Sequence, residues 1–150
     1  MQYKKVSQNS KKMICISEAV KNNYIKFSDP EKMIVIYNGL PKIRKIHHDY
    51  NDSSVGIVMM GRLSSEKNQI TLLEAVRKLR DKQKVFVHIY GDGVDFKKLQ
   101  EYIDKYDLGE TVRLMGYSGD VDFSKYLVGV ICSKSEGFGR VTVEYMMNGL

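Results

Sequence analysis

Val55-Gly56-Ile57-Val58-Met59-Met60, followed at once by Gly61-Arg62-Leu63-Ser64-Ser65-Glu66-Lys67, sets an unbroken apolar run against a polar, glycine-led loop. The run lacks the polar alternation of a half-solvated strand. It therefore predicts a strand buried on both faces. The loop hands over to a helix that reaches about Asp81. Its apolar positions Ile70, Leu73, Val76 and Leu79 recur every three residues and are expected on one face.

Downstream the unit repeats. Val85-Phe86-Val87-His88-Ile89 is a second strand, and Gly91-Asp92-Gly93 turns the chain into a helix from about Asp95 to Tyr106, ended near Gly109. Thr111 to Met115 is a third strand, Val121 to Tyr126 a short helix, Leu127 to Cys132 a fourth strand and Arg140 to Asn148 a final helix. Upstream, Met13 to Ile16 is an apolar run, and Ser17 caps a helix through about Phe27. Asp29-Pro30 breaks that helix, and Met33 to Tyr37 runs into the turn pair Asn38-Gly39. Residues 40–54, with Pro41 and His47-His48, form a linker. Strand–helix alternation with doubly buried strands predicts an α/β fold, a parallel sheet covered by helices. Ligands of such sheets bind beyond the carboxyl ends of the strands. The loops to inspect are thus 61–67, 91–94, 116–120 and 133–139.

Composition narrows the partners. The 150 residues are 43% hydrophobic and 28% charged, as in ordinary globular proteins. No apolar run approaches the ~20 residues of a membrane span, and Met1 to Lys5 has no signal-peptide core. Cys15 and Cys132 lie far apart in apolar stretches and read as reduced core residues. The net charge of +6 admits nucleic acid, an anionic membrane surface or an anionic small molecule. The lysines form no dense tract, and the ten tyrosines form no strand-like stacking platform, so nucleic acid is not expected.

Two segments carry chemistry. Gly61 permits a sharp turn, and Arg62 and Lys67 place two cations beside a helix N-terminus. That combination can hold a diphosphate and stabilise charge on it as a leaving group. In Ser135-Glu136-Gly137-Phe138-Gly139-Arg140-Val141-Thr142-Val143-Glu144, a carboxylate stands in a glycine-rich loop after a buried strand. A second carboxylate follows eight positions later on a helix. Gly137 and Gly139 let a ligand approach the backbone, and the two acids can accept hydrogen bonds from hydroxyls of an extended ligand such as a sugar. A solvated loop and a dipole-favoured surface Glu144 are the plainer alternatives.

Four elements occur in order: Gly61-Arg62-Leu63-x-x-Glu66-Lys67, Tyr90-Gly91-Asp92-Gly93, Val112-Arg113-Leu114-Met115-Gly116-Tyr117, and Glu136-Gly137-Phe138-Gly139 with Glu144. Together they resemble the C-terminal, nucleotide-binding domain of the GT-B glycosyltransferases of family 4 (group 1). Ile16-Ser17-Glu18-Ala19 and Ile36-Tyr37-Asn38-Gly39 resemble the end of that family's N-terminal domain and the crossing between domains. The resemblance implies a Rossmann-like parallel sheet with flanking helices, a partial GT-B C-terminal domain. Residues 1–50 would be the tail of the N-terminal acceptor domain plus linker, and 51–150 the donor domain.

It also implies roles. Arg62 and Lys67 match the pair that contacts the donor diphosphate. Glu136 and Glu144 match the two acids of the E-x7-E motif, the first facing the donor sugar and the second the nucleotide ribose. Gly137, Phe138 and Gly139 match the loop beside sugar and phosphates. Gly61 opens the first loop, and Gly91 and Gly93 match a turn near the nucleotide. The implied activity is sugar transfer from a nucleotide-diphosphate sugar to the hydroxyl of a sugar or lipid-linked acceptor, with retention. Arg62, Lys67 and Glu136 would be catalytic, with no cofactor and no metal. Family members exceed twice this length, so the chain is expected to be a fragment that does not transfer sugar alone. The parent is expected in the cytoplasm, resting on the inner membrane face through its basic surface, in polysaccharide or lipid modification. A non-catalytic Rossmann-like binder of nucleotides or anions is the alternative.

Other signals weigh less. Asp120-Val121-Asp122 is formally a metal motif of another fold, but Asp120 is well placed to cap the helix after Gly119. His47-His48 have no carboxylate or cysteine at ligand spacing. His88, in a buried strand, reads as a satisfied core histidine.

Overall fold

The structure, a computed structural model, describes residues 7–40 and 54–150. The linker, but for its first and last residues, and His47-His48 lie outside them. The described residues form two compact units: 7–40 with 136–140, and 54–135 with 141–150.

In the smaller unit, β1 (Met13–Cys15) and β2 (Met33–Val35) pair in parallel, Ile14 opposite Ile34. Helix α1 (Glu18–Tyr24) follows β1. The Ser17 hydroxyl caps it, accepting from the Val20 amide at 3.1 Å. The helix stops at Tyr24 rather than Phe27, and Asp29-Pro30 open a 3-10 turn over Pro30–Lys32 whose Glu31 amide donates to the Asp29 carboxylate.

The larger unit contains β3 (Val55–Met60), α2 (Gln69–Leu79), β4 (Val85–Tyr90), α3 (Phe96–Lys105), β5 (Val112–Gly116), β6 (Val128–Gly129) and, from Val141 on, α4 (Arg140–Met147). Its four strands are all parallel, in the order β5-β4-β3-β6. Alternation along β3 and β4 divides their side chains between two layers. Ile57, Met59, Val87 and Ile89 pack with Leu72, Leu73 and Val76 of α2 and Leu99 and Ile103 of α3. Val58 packs with Tyr126 and Tyr145 on the opposite face, against Met60, Phe86 and Tyr90. Helices on both faces of a parallel sheet make the predicted Rossmann-like architecture.

Several expectations need correction. In α2 the buried residues are Gln69, Leu72, Leu73 and Val76, whereas Leu79 is 40% exposed. A three-residue step falls short of the ~3.6-residue turn, so the nine positions from Ile70 to Leu79 rotate about half a turn off the starting face. Helix α3 keeps within one residue of its expected bounds at each end, Phe96–Lys105, but the residue that stops it is Asp107 and not Gly109. Asp107 takes the left-handed conformation (φ 50°), its amide donating to the Asp104 carbonyl at 3.2 Å and the Leu108 amide to Ile103 at 2.9 Å. That pairing is a Schellman motif, closed by the buried contact pair Ile103 and Leu108. The short helix is a 3-10 turn at Phe123–Lys125 capped by Asp122, not Asp120. The Asp122 carboxylate accepts from the Ser124 amide at 3.1 Å and hydroxyl at 2.6 Å.

Strand β6 shrinks to Val128–Gly129 instead of spanning Leu127 to Cys132. The amide of Met60, next in line for the ladder, donates instead to the Tyr145 hydroxyl at 2.7 Å. The Tyr145 ring lies against Gly129, where any Cβ would overlap it. A tyrosine from α4 thus fills the place where β3 and β6 would go on pairing.

Candidate functional site

Three loops meet at the carboxyl ends of β3, β4 and β5, and backbone hydrogen bonds lace them together. The Gly61 amide donates to the Tyr90 carbonyl at 2.9 Å, Leu63 to Asp92 at 2.9 Å, Gly91 to Gly116 at 2.8 Å, and Asp95 to Leu63 at 3.2 Å. Close approach dictates the glycines. A Cβ on Gly91, which sits at φ 138°, would overlap the Gly61 carbonyl, and one on Gly93 would overlap the Leu63 carbonyl. The predicted ligand-facing turn is therefore first a seat for the loop after β3.

These loops line a pocket of about 360 Å³ formed by Met60, Gly61 and Arg62, by Tyr90, Gly91 and Asp92, and by Tyr117, Ser118 and Val141. Arg62 is exposed, and the fully enclosed Gln69 side chain of α2 holds its backbone, donating to the Arg62 carbonyl at 2.9 Å. The Lys67 stem passes over Gly61, 3.7 Å from where a Cβ would stand. Gly61, Arg62, Lys67 and Gly91 thus lie together at the ends of β3 and β4. Gly93 sits beneath them.

The N-terminus of α2 opens elsewhere. Asn68, Gln69 and Ile70 line a smaller pocket of about 180 Å³ with Ser64, Asp95, Lys98 and Lys134. Asn68 precedes the helix in the left-handed conformation without capping it, its amide group donating to the Thr71 hydroxyl. Arg62 faces the larger pocket and the helix dipole the smaller one.

The acidic segment divides between the units. Glu144, half-buried, lies on α4, and its carbonyl accepts from the Asn148 side-chain amide at 2.7 Å. Glu136, Gly137, Phe138 and Gly139 belong to the smaller unit. There the Ser17 hydroxyl that caps α1 also donates to the Gly137 carbonyl at 3.0 Å. A Cβ on Gly137 would lie 3.3 Å from Ile16 Cδ1 and 3.6 Å from Val20 Cγ2. The Glu136 side chain is exposed.

Sequence reasoning named the loop 116–120 but not Tyr117, 79% exposed, as a pocket wall. It also missed a polar chain behind Tyr90. The fully buried Tyr126 hydroxyl lies 2.8 Å from His88 Nδ1 and 3.0 Å from the Tyr90 hydroxyl. His88 is hydrogen-bonded as predicted. Burial holds its pKa below the ordinary histidine value, assisted by the positive charges of Arg113 and Lys125. Burial raises the Tyr126 and Tyr145 phenols above the ordinary tyrosine value, so both stay neutral. The signal for this network was the i, i+2 spacing of Phe86, His88 and Tyr90, which puts three rings on one face of β4.

Among the described residues, no helix is long and apolar enough to cross a membrane. The family profile of the group 1 glycosyl transferases matches residues 42–150. A glycosyltransferase of Methanocaldococcus jannaschii is 30% identical over 148 residues, covering 96% of this chain and 40% of that protein. Poly(glycerol-phosphate) alpha-glucosyltransferase of Bacillus subtilis is 33% identical over 95 residues, 61% of this chain and 14% of its own. Among solved structures, HepE of Anabaena with UDP and glucose superposes with TM-score 0.77 at 22% identity, covering 96% of this chain and 44% of that one. The pneumococcal O-GlcNAc transferase GtfA with UDP and GlcNAc does so with TM-score 0.76 at 21% identity, covering 99% and 30%. The chain therefore spans less than half the length of each of these proteins. With the profile covering residues 42–150 and the order of loops around Arg62 in place, the chain belongs to the group 1 glycosyltransferases.

Proposed function

We propose that this chain carries the donor-nucleotide half of a retaining glycosyltransferase of the GT-B family 4 type. One observation carries the reading: Gly61, Arg62 and Gly91 meet at one pocket beyond the carboxyl ends of parallel strands, in a chain of this family. The donor is a nucleotide-diphosphate sugar. Relatives of the same fold were solved with UDP and a sugar, which supports a uridine nucleotide as the first to test.

In this proposal Arg62 and Lys67 bind the diphosphate and stabilise the charge that builds on it as the glycosidic bond to the leaving phosphate breaks. Two fixed cations suffice for that role, so the reaction needs neither a metal nor a cofactor. By family likeness Glu136 meets the donor sugar and Glu144 the ribose, with Gly137, Phe138 and Gly139 beside sugar and phosphates. The acceptor is a hydroxyl of a sugar or lipid-linked saccharide, as in polysaccharide biosynthesis. The whole enzyme works in the cytoplasm, held at the inner membrane face by basic charge. The chain spans 40% of its archaeal relative, and we infer that it binds donor without transferring sugar.

Calorimetry with UDP, GDP and their sugars tests the reading. Glu136→Ala should weaken UDP-sugar binding more than UDP binding, because only the sugar donates hydroxyls to that carboxylate. Equal losses would favour a plain nucleotide binder, and measured turnover by this chain would refute the inference about transfer.

A further inference from the structure

The Tyr145 hydroxyl on α4 reaches the end of β3, where it accepts from the Met60 amide. Met60, its partner, stands two residues before Arg62. The adjoining Gly61 amide is itself held by Tyr90. The tyrosine is 4% exposed, and its ring rests on Gly129 and meets Phe123 edge-on at 6.0 Å. Below it, the helix end is closed by Asn148 onto the Glu144 and Tyr145 carbonyls and by the Leu150 amide onto Tyr145 at 3.0 Å.

We infer that Tyr145 is a positioning residue: its bond to the Met60 amide fixes the register of α4, and so the place of Glu144, against the loop that carries Arg62. The geometry leaves little other adjustment. A helix turning about its own axis by one residue moves a side chain through about 100°. Glu144 and Tyr145 are chain neighbours, so whatever holds the tyrosine fixes the direction of the glutamate. A part-buried amide offers one directional bond, and the glycine under the ring leaves the room in which the tyrosine reaches it. The strand ladder gives way at this point, at the ligand end of the sheet, where a continued β6 would have left α4 without an anchor on β3.

The inference rests on the reading of Glu144 as a nucleotide contact, and a double-mutant cycle separates the two. UDP affinity is measured for the chain, Glu144→Ala, Tyr145→Phe and the double variant, with amide hydrogen exchange at Met60 followed in parallel. Tyr145→Phe keeps the ring and removes the acceptor. It should weaken UDP about three- to tenfold, the loss expected for one hydrogen bond. In the Glu144→Ala background it should add less than twofold, because the tyrosine acts through the glutamate. Full additivity, or an unchanged affinity in Tyr145→Phe while Glu144→Ala weakens UDP, would overturn the inference. An unchanged affinity in Glu144→Ala would overturn the ribose reading instead. The Met60 amide of the unsubstituted chain should exchange as slowly as those of β4. Fast exchange there would refute the pin whether or not the variants fold.

Discussion

Replacing Gly91 by alanine tests the lacing of the three loops at its tightest point. The added methyl would enter the Gly61 carbonyl, and the Gly61 carbonyl carbon lies only 2.8 Å away. Both are backbone atoms, so no side-chain rotation relieves the overlap. The residue also sits at φ 138°, where an L side chain is strained by about 1–3 kcal/mol. Overpacking adds a similar about 1–3 kcal/mol. We expect a total of about 4 kcal/mol, which for a unit of this size lowers Tm by about 16–32 °C. Gly109→Ala is the control. Nothing lies within 4 Å of its Cβ position and its φ is not among the positive ones, so the same methyl should stabilise by about 0.4–1 kcal/mol through the unfolded chain. Thermal melts by circular dichroism read both. Because Gly91 carries the loop on which Arg62 sits, UDP affinity should fall alongside stability in Gly91→Ala and stay unchanged in Gly109→Ala. A Gly91→Ala melt within about 4 °C of the parent would refute the argument that close approach dictates this glycine.

Two further outcomes follow from the polar chain behind Tyr90. Tyr126→Phe leaves His88 Nδ1 and the Tyr90 hydroxyl without their shared partner and should destabilise by about 1–3 kcal/mol in denaturant melts; a change under about 0.5 kcal/mol would contradict that role. His88 has its folded pKa below the unfolded value of 6.5, so the unfolded chain binds the extra proton in the interval between them. The neutral imidazole's contribution is full above that value and is lost as pH falls through the interval. Tm measured from about pH 7.5 down to 5 should therefore decline, and His88→Gln should flatten the decline. An identical slope in the variant would show that other groups cause it.

What was legible in the sequence follows the range of the interactions. The run from Val55 to Lys67 announced a doubly buried strand, a glycine turn and a helix. All three are present, because burial on two faces and glycine turns leave local marks. Ser17 announced its cap for the same reason. The errors came where a local signal had two solutions. Asp107, a residue type that tolerates the left-handed region, ended α3 before Gly109 could. Asp122 rather than Asp120 took the turn after Gly119, because the backbone there starts its 3-10 turn two residues later. In α2 a spacing of three imitated the helical period closely enough to mislead over three turns.

The remaining features were illegible for one physical reason: each joins two different elements through a single atom pair. Nothing near Ser17 foretells that its hydroxyl, already an acceptor in a helix cap, will also donate to Gly137, 120 positions away. Nothing near Gln69 foretells that a polar side chain on the buried face of α2 is there for the Arg62 carbonyl. Nor does Leu127 to Cys132, an apolar run fit for a full strand, reveal that Tyr145 will take the Met60 amide and end the pairing. These bonds share a pattern. Each links a side chain of a helix or its cap to the backbone of a loop or strand end that bears a candidate binding residue or its near neighbour, Ser17 and Gln69 as donors and Tyr145 as acceptor. The apolar pattern can build the sheet and stack its helices without them, since hydrophobic burial is indifferent to small shifts of position. Directional hydrogen bonds to single backbone atoms supply what burial does not, a fixed placement of each segment within its own unit. The fold is thus written in periodicities that many sequences share, whereas the placement of candidate ligand contacts is written in a few polar side chains.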